Sequence, residues 1–216
     1  MNSWEINRYV FIHPFNLIIS GPTQSGKSFL LNKILINHIE LINPSITTIH
    51  YCYSTWNKEF DGLLHTVANL KFHKGIIDVD LIDTKETNLI ILDDLMTECV
   101  NDPEIMKLFT IGTHHRNMSV VFLTQNLYVQ GKHSRTISLN SHYLIIFKNN
   151  RDKTQIKNLA RQMFPDKYHF LPEAFTDATQ SNHGYIFIDM KASTDDKNRI
   201  QTDIIPDIKR IIYVAK

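Results

Sequence analysis

Residues 15–28 read Phe15-Asn16-Leu17-Ile18-Ile19-Ser20-Gly21-Pro22-Thr23-Gln24-Ser25-Gly26-Lys27-Ser28. The last eight match G-x-x-x-x-G-K-[ST], a loop whose backbone N–H groups converge on phosphate oxygens at the positive end of a helix. The apolar run in front of the loop predicts a buried strand. Behind it, Phe29, Leu30, Ile34, Leu35 and Ile39 have helical spacing, which predicts a helix over 27–40. Strand, glycine loop and helix in that order form the unit that holds the tail of a nucleoside triphosphate. The nucleotide-binding set expected from it is Gly21, Pro22, Thr23, Gln24, Ser25, Gly26, Lys27 and Ser28, with Phe29 beside them. Lys27 would reach the β- and γ-phosphates, and the Ser28 hydroxyl would ligate Mg2+.

A second apolar run ends in acids: Asn88-Leu89-Ile90-Ile91-Leu92-Asp93-Asp94. A buried strand that delivers carboxylates at its C-terminal end puts them where open α/β sheets bind ligands. Asp93 fits the carboxylate of a magnesium site, acting through a water, because Mg2+ gives up its waters reluctantly. Asp94 would orient or deprotonate the attacking water, with Glu98 one helical turn on as the alternative acid. A third run, Ser119-Val120-Val121-Phe122-Leu123, ends in Thr124-Gln125-Asn126. The Gln125 amide at a strand tip suits the sensing of a γ-phosphate and the holding of a lytic water.

Composition sets the class. The 216 residues are 43% hydrophobic and 21% charged, the balance of a globular protein long enough to bury a proper core. No apolar stretch approaches the ~20 residues of a membrane span, and no secretory signal opens the sequence, so neither a membrane nor secretion is expected. Cys52 and Cys99 lie in unrelated contexts and read as buried free thiols of a reducing compartment. His114 and His115 are adjacent, which makes a poor metal-ligand pair.

The net charge of +1 conceals an asymmetry. Residues 78–104 carry nine acids against Lys85 alone, and residues 132–167 carry eight bases against Asp152 and Asp166. A basic stretch beside a triphosphate site points to an anionic partner such as DNA.

Apolar runs alternating with helical patterns predict an α/β protein with a mainly parallel sheet. Strands are expected over 15–20, 46–53, 88–92, 119–124 and 143–147, followed by a β-rich tail near 185–189 and 208–214. Helices are expected over 27–40, 103–112, 152–163 and 172–179. Without repeats or a composition break, residues 1–216 read as a single P-loop domain, with a core over about 12–165 and a C-terminal extension over 166–216.

Several stretches together resemble the poxvirus-like genome-packaging ATPases of the HerA/FtsK superfamily, found in large DNA viruses and Polinton/Maverick-type elements. They are GPTQSGKS (21–28), YCYSTW (51–56), LIILDDLM (89–96), THHRNMSVVFLTQNL (113–127), SLNSHYLIIFKNNRDKTQ (138–155) and LARQMFP (159–165). The resemblance runs from about residue 15 to residue 190. It implies a RecA-like core of the additional-strand catalytic-acid type, with strand order 5-1-4-3-2 and helices on both faces. It also implies an ATP hydrolase that works as a homomeric ring, pentamer or hexamer, threading double-stranded DNA into a preformed capsid. ATP and Mg2+ would be its ligands, DNA and capsid proteins its partners, and the assembly site in the host nucleus or cytoplasm, or the virion, its location. Asp94 departs from the glutamate common among relatives, which leaves the base assignment open.

In such rings a neighbouring subunit supplies an arginine to the transferring phosphate. Three arginines are candidates. Arg151, in Lys148-Asn149-Asn150-Arg151-Asp152-Lys153 beyond the fifth strand, comes first, and Arg135 and Arg116 follow. The plain alternative for Arg151 is a pair with Asp152 or an ordinary helix-start charge. Gln130-Gly131-Lys132-His133-Ser134-Arg135 has the composition of a flexible loop facing DNA phosphate, which makes Lys132, His133 and Arg135 candidate DNA contacts. Two other functions fit the same P-loop: a small-molecule phosphotransferase, and a nucleotide-gated capsid-assembly protein with incidental turnover.

Overall fold

Apolar runs become central strands where helices cover both faces of the sheet, since no side chain then meets water. The computed structural model describes residues 10–112, 116–128, 130–206 and 208–215; His114 and His115 lie outside these. The first half comprises β1 (Phe11–Ile12), β2 (Asn16–Ser20), α1 (Lys27–Ile36), α2 (His38–Leu41), β3 (Ile42–Asn43), β4 (Thr48–Tyr53), α3 (Glu59–Thr66) and β5 (Leu70–Lys74). Next come β6 (Asn88–Asp93), α4 (Met96–Asn101), α5 (Pro103–Lys107), a π-helical turn over Leu108–Gly112, β7 (Met118–Thr124), α6 (Ser134–Leu139) and β8 (Tyr143–Phe147). The chain continues through α7 (Thr154–Met163), α8 (Phe170–Ala178), β9 (Tyr185–Asp189), β10 (Ile200–Thr202) and β11 (Ile211–Tyr213).

One nine-stranded sheet runs β11-β10-β9-β8-β2-β7-β6-β4-β5. From β8 to β5 every pairing is parallel, and β9, β10 and β11 add an antiparallel flank. The expected order 5-1-4-3-2 corresponds to β8-β2-β7-β6-β4, with β7 as the strand inserted between the P-loop strand and the acidic strand. Successive residues of each strand serve opposite faces. Leu17, Ile19, Leu89, Ile91, Val121, Leu123 and Ile145 pack with α1 and α3 on one side. Ile18, Ile90, Leu92, Val120, Phe122, Leu144 and Ile146 pack with α4 to α8 on the other.

Some elements differ from expectation. The first helix stops at Ile36: Asn37 leaves the helical conformation at φ -100 and ψ 18, while its backbone N–H and its side chain both donate to Lys33 O, at 3.1 and 2.8 Å. Its buried face is Leu30, Leu31, Ile34 and Leu35; Phe29 is 60% and Ile39 65% exposed. The helix expected over 103–112 begins at Pro103 under an Asp102 cap but ends at Lys107 in the π-helical turn, and α4 precedes it. Strand β5 and helices α3 and α6 were not anticipated. Cys52 and Cys99 are both buried free thiols in the same core, and burial pushes the Cys52 thiol up to about 11.

Candidate functional site at the carboxyl edge of the sheet

The parallel ladders align the tips of five strands. Ser20 is paired with Thr124 on β7 and Ile146 on β8, and Asp93 on β6 is paired with Tyr53 on β4. The P-loop leaves β2 here and is fixed at its start by Gly21 N donating to Thr124 O at 3.1 Å. It turns through Gln24 at φ 63 and Gly26 at φ 104, left-handed conformations that bend backbone groups inward. The Ser25 hydroxyl is buried in the loop without a hydrogen-bond partner, an unspent polar group of the sort a ligand satisfies.

Lys27 opens α1. Its ammonium donates to Gly21 O at 2.6 Å and Pro22 O at 2.9 Å, leaving one of its three donors for other use. Burial lowers the Lys27 pKa, opposed by the charges of Asp93 and Asp94. The P-loop cation and the paired acids, which lie far apart in sequence, therefore feel each other's charge.

Asp93 is partly buried, and burial raises its carboxyl above the usual range. A hydrogen bond from the Tyr51 hydroxyl to Oδ2 at 2.7 Å acts in the opposite direction, as does Lys27, while Asp94 adds to the rise. Asp94 is exposed, at φ 55, a left-handed conformation that aspartate tolerates better than most residues. Ser54 Oγ donates to its Oδ2 at 2.9 Å. Tyr51 and Ser54 thus hold the two acids. Both stand in YCYSTW, where sequence alone offered no signal for a role. Glu98 is exposed on α4.

The donor set suits Mg2+ bound together with a nucleotide. Among the described residues no group of three or more His, Cys, Asp or Glu forms a metal cage. A magnesium ion that shares phosphate ligands needs only one or two carboxylates and a hydroxyl, which Asp93 and Ser28 could supply.

Gln125 is exposed at the tip of β7 and borders a small cleft with Gly21, Phe147, Asn149, Asp152 and Gln155. The tip is braced from α7: Gln155 Oε1 accepts from Leu127 N at 2.8 Å, and its Nε2 donates to Asn126 Oδ1 at 3.3 Å. Asp152 does not pair with Arg151. Two residues ahead of the first residue of α7, it accepts from Thr154 N at 2.9 Å, from the Thr154 hydroxyl and from Gln155 Nε2 at 2.8 Å. Arg151 is left exposed beyond β8, on the P-loop edge, with no ion pair among the described residues.

Arg116 stands at the other end of β7 and pairs with Asp80 at 2.6 Å. Arg135 and Lys132 are exposed; His133 is half-buried. The segment expected as a flexible loop is partly helical, with α6 starting at Ser134, and His133 N is tied to Val100 O at 2.9 Å.

No family model matches the sequence, and no curated protein does. The structure is similar to the DNA-packaging ATPase B204 of Sulfolobus turreted icosahedral virus, with TM-score 0.60 and 13% identity over 88% of this chain and 97% of that one. It is equally similar to the genome-packaging NTPase B204 of Sulfolobus turreted icosahedral virus 2 in complex with ATP-gammaS, with TM-score 0.60 and 13% identity over 87% of this chain and 96% of that one. The complex of that protein with AMPPCP gives TM-score 0.58 at 13% identity over 88% and 96%. At such identity the likeness is one of fold: this chain has the α/β, RecA-like fold of P-loop ATPases, viral genome-packaging NTPases among them.

Proposed function

We propose that this chain is a Mg2+-dependent ATP hydrolase of the poxvirus-like HerA/FtsK branch that translocates double-stranded DNA, as a homomeric ring, into a capsid at the viral assembly site. One arrangement carries the reading: the P-loop, Asp93–Asp94, Gln125 and Arg151 all leave the same edge of the sheet, from β2, β6, β7 and β8. The loop N–H groups and Lys27 grip the β- and γ-phosphates and stabilise the charge that develops on them. Asp94 accepts a proton from the attacking water, which Gln125 orients. Arg151 of a neighbouring copy completes the site. Magnesium held by Ser28 and Asp93 would neutralise phosphate charge.

Two surfaces support the larger assembly. Lys153, Lys157 and Arg161 follow one another at four-residue spacing and are all exposed, forming a basic stripe along α7 that suits a phosphate backbone. Lys132 and Arg135 add charge beside α6, with His133 between them. On α1 and α2, Phe29, Ile36 and Ile39 remain exposed, an apolar patch of the kind a second copy covers. Among the described residues no helix is long and apolar enough to cross a membrane.

One observation favours a second reading, a nucleotide-gated assembly protein: the acid at 94 is the short aspartate, tied to Ser54. Turnover separates the two. ATP hydrolysis is measured with and without long double-stranded DNA at two salt concentrations, for the wild type and Lys27→Ala. The translocase is expected to be stimulated by DNA, less so at high salt, and Lys27→Ala to be inactive. Turnover that ignores DNA rejects translocation, and ATP binding without turnover favours the gated reading.

A further inference from the structure

His183, from the turn that leads into β9, stands against the P-loop although 158 residues separate it from Ser25. Its Nδ1 lies 3.1 Å from Ser25 O. A carbonyl only accepts, so Nδ1 carries the proton and the ring donates. The ring also covers Gly26: a Cβ built on that glycine would lie 3.0 Å from His183 Cβ and 3.1 Å from Nδ1.

The chain is constrained to bring the ring there. Gly184 N donates to Ser181 O at 3.1 Å, closing a turn with His183 in its third position at φ 62. Glycine or asparagine is the economical choice at such a position, and most other residues are strained there. A histidine kept in a strained conformation points to a task for its side chain. Gly184 is fixed by crowding, since a Cβ there would lie 2.4 Å from Ala178 O. The turn is thereby clamped to the end of α8.

We infer that His183 is a positioning residue for the nucleotide site: it holds the Ser25 carbonyl outward so that the Gly26 N–H points into the phosphate loop. The physical basis is the planar trans peptide, in which C=O and N–H point in opposite directions. Fixing one end of the Ser25–Gly26 peptide fixes the other. In a P-loop the N–H groups form the anion cradle, so a brace on an outer carbonyl organises the cradle before phosphate arrives. The antiparallel flank then has a role in the site, because β9 and α8 carry the brace. This inference rests on the reading of residues 21–28 as a phosphate-binding loop.

The test compares His183→Asn with His183→Gly. Both are neutral and at ease at φ 62, but only asparagine keeps an N–H donor near the position of Nδ1. Binding of a fluorescent ATP analogue with Mg2+ is titrated for wild type, both variants and Lys27→Ala, and a urea midpoint checks the fold of each. His183→Asn is expected to bind within about twofold of wild type, and His183→Gly about five- to tenfold more weakly, the scale of one hydrogen bond. Equal affinity of His183→Gly and wild type overturns the inference, as does equal weakening by asparagine and glycine, which would assign the effect to the ring and not to its donor. A wild type that binds no better than Lys27→Ala rejects the phosphate-loop reading itself.

Discussion

The Tyr51 hydroxyl donates to Asp93 Oδ2 at 2.7 Å, linking the buried face of β4 to the acid at the tip of β6. Tyr51 is packed between Phe60 and Phe72, and burial followed by the Asp93 charge pushes its own pKa well up. It therefore stays a neutral donor wherever the site operates. Burial raises the carboxyl pKa and this bond moderates the rise, so the protonation of the candidate metal-site acid depends on a residue of the neighbouring strand.

Tyr51→Phe removes that moderation while keeping the ring. The Asp93 carboxyl then rises further, so the acid limb of the hydrolysis profile moves to higher pH. A hydrogen bond to a charged group is worth about 1.5–3 kcal/mol, which corresponds to roughly a ten- to hundredfold loss if all of it is expressed in turnover. A pH–rate profile at fixed Mg2+ checks this, and an acid limb superimposable on that of wild type would remove Tyr51 from the site.

Asp93→Asn should move function and stability in opposite directions. A carboxyl whose pKa is raised in the folded state binds its proton more tightly there than in the unfolded chain. Folding is weakened above the folded pKa and recovers as pH falls through it towards the unfolded value. The asparagine variant, relieved of the buried charge, is expected to unfold at higher urea than wild type near pH 8, with the advantage shrinking in acid. Hydrolysis should fall by about two to three orders of magnitude. A variant less stable than wild type at pH 8 contradicts the assignment of burial as the dominant cause.

The same contrast explains what the sequence discloses. β2, β6, β7 and β8 were legible because both faces of each are covered, leaving unbroken apolar runs. β5 escaped notice because it is an edge strand, Leu70-Lys71-Phe72-His73-Lys74, whose lysines look like loop residues. Nothing in the apolar spacing marks the end of the first helix at Ile36, because Ile39 in α2 continues the helical pattern beyond it. Lys27, Asp93 and Gln125 stand out in local motifs, each at or shortly beyond the end of a strand that is apolar on both faces. Tyr51, Ser54 and His183 carry no such motif, because each meets its partner only through strand pairing or a turn that contacts the P-loop after folding.

The apolar patch on α1 and α2 offers a direct test of assembly. Ile36 and Ile39 are exposed and outside the catalytic constellation, so the double change Ile36→Lys with Ile39→Lys should leave the fold within about 1 kcal/mol of wild type. If a neighbouring copy covers this surface, the variant sediments as a monomer under conditions where wild type forms a closed oligomer. An unchanged oligomer would show that the contact lies elsewhere.

Arg151 is the sharpest test of a shared site. Its neighbour in sequence, Asp152, is occupied by Thr154 and Gln155, so Arg151 is left exposed at the P-loop edge without an ion pair among the described residues. Arg151→Ala should bind ATP near wild-type affinity but hydrolyse it about a thousandfold more slowly, the low end of the effect of an arginine on phosphoryl transfer. Lys27→Ala should fail earlier, at binding. Each variant lacks a different half of the site, so a mixed ring contains some interfaces where an intact P-loop faces an intact Arg151. Mixing the two inactive proteins is therefore expected to restore part of the activity, measured as hydrolysis against mixing ratio. If no ratio restores it while the two proteins co-sediment, Arg151 does not act across subunits.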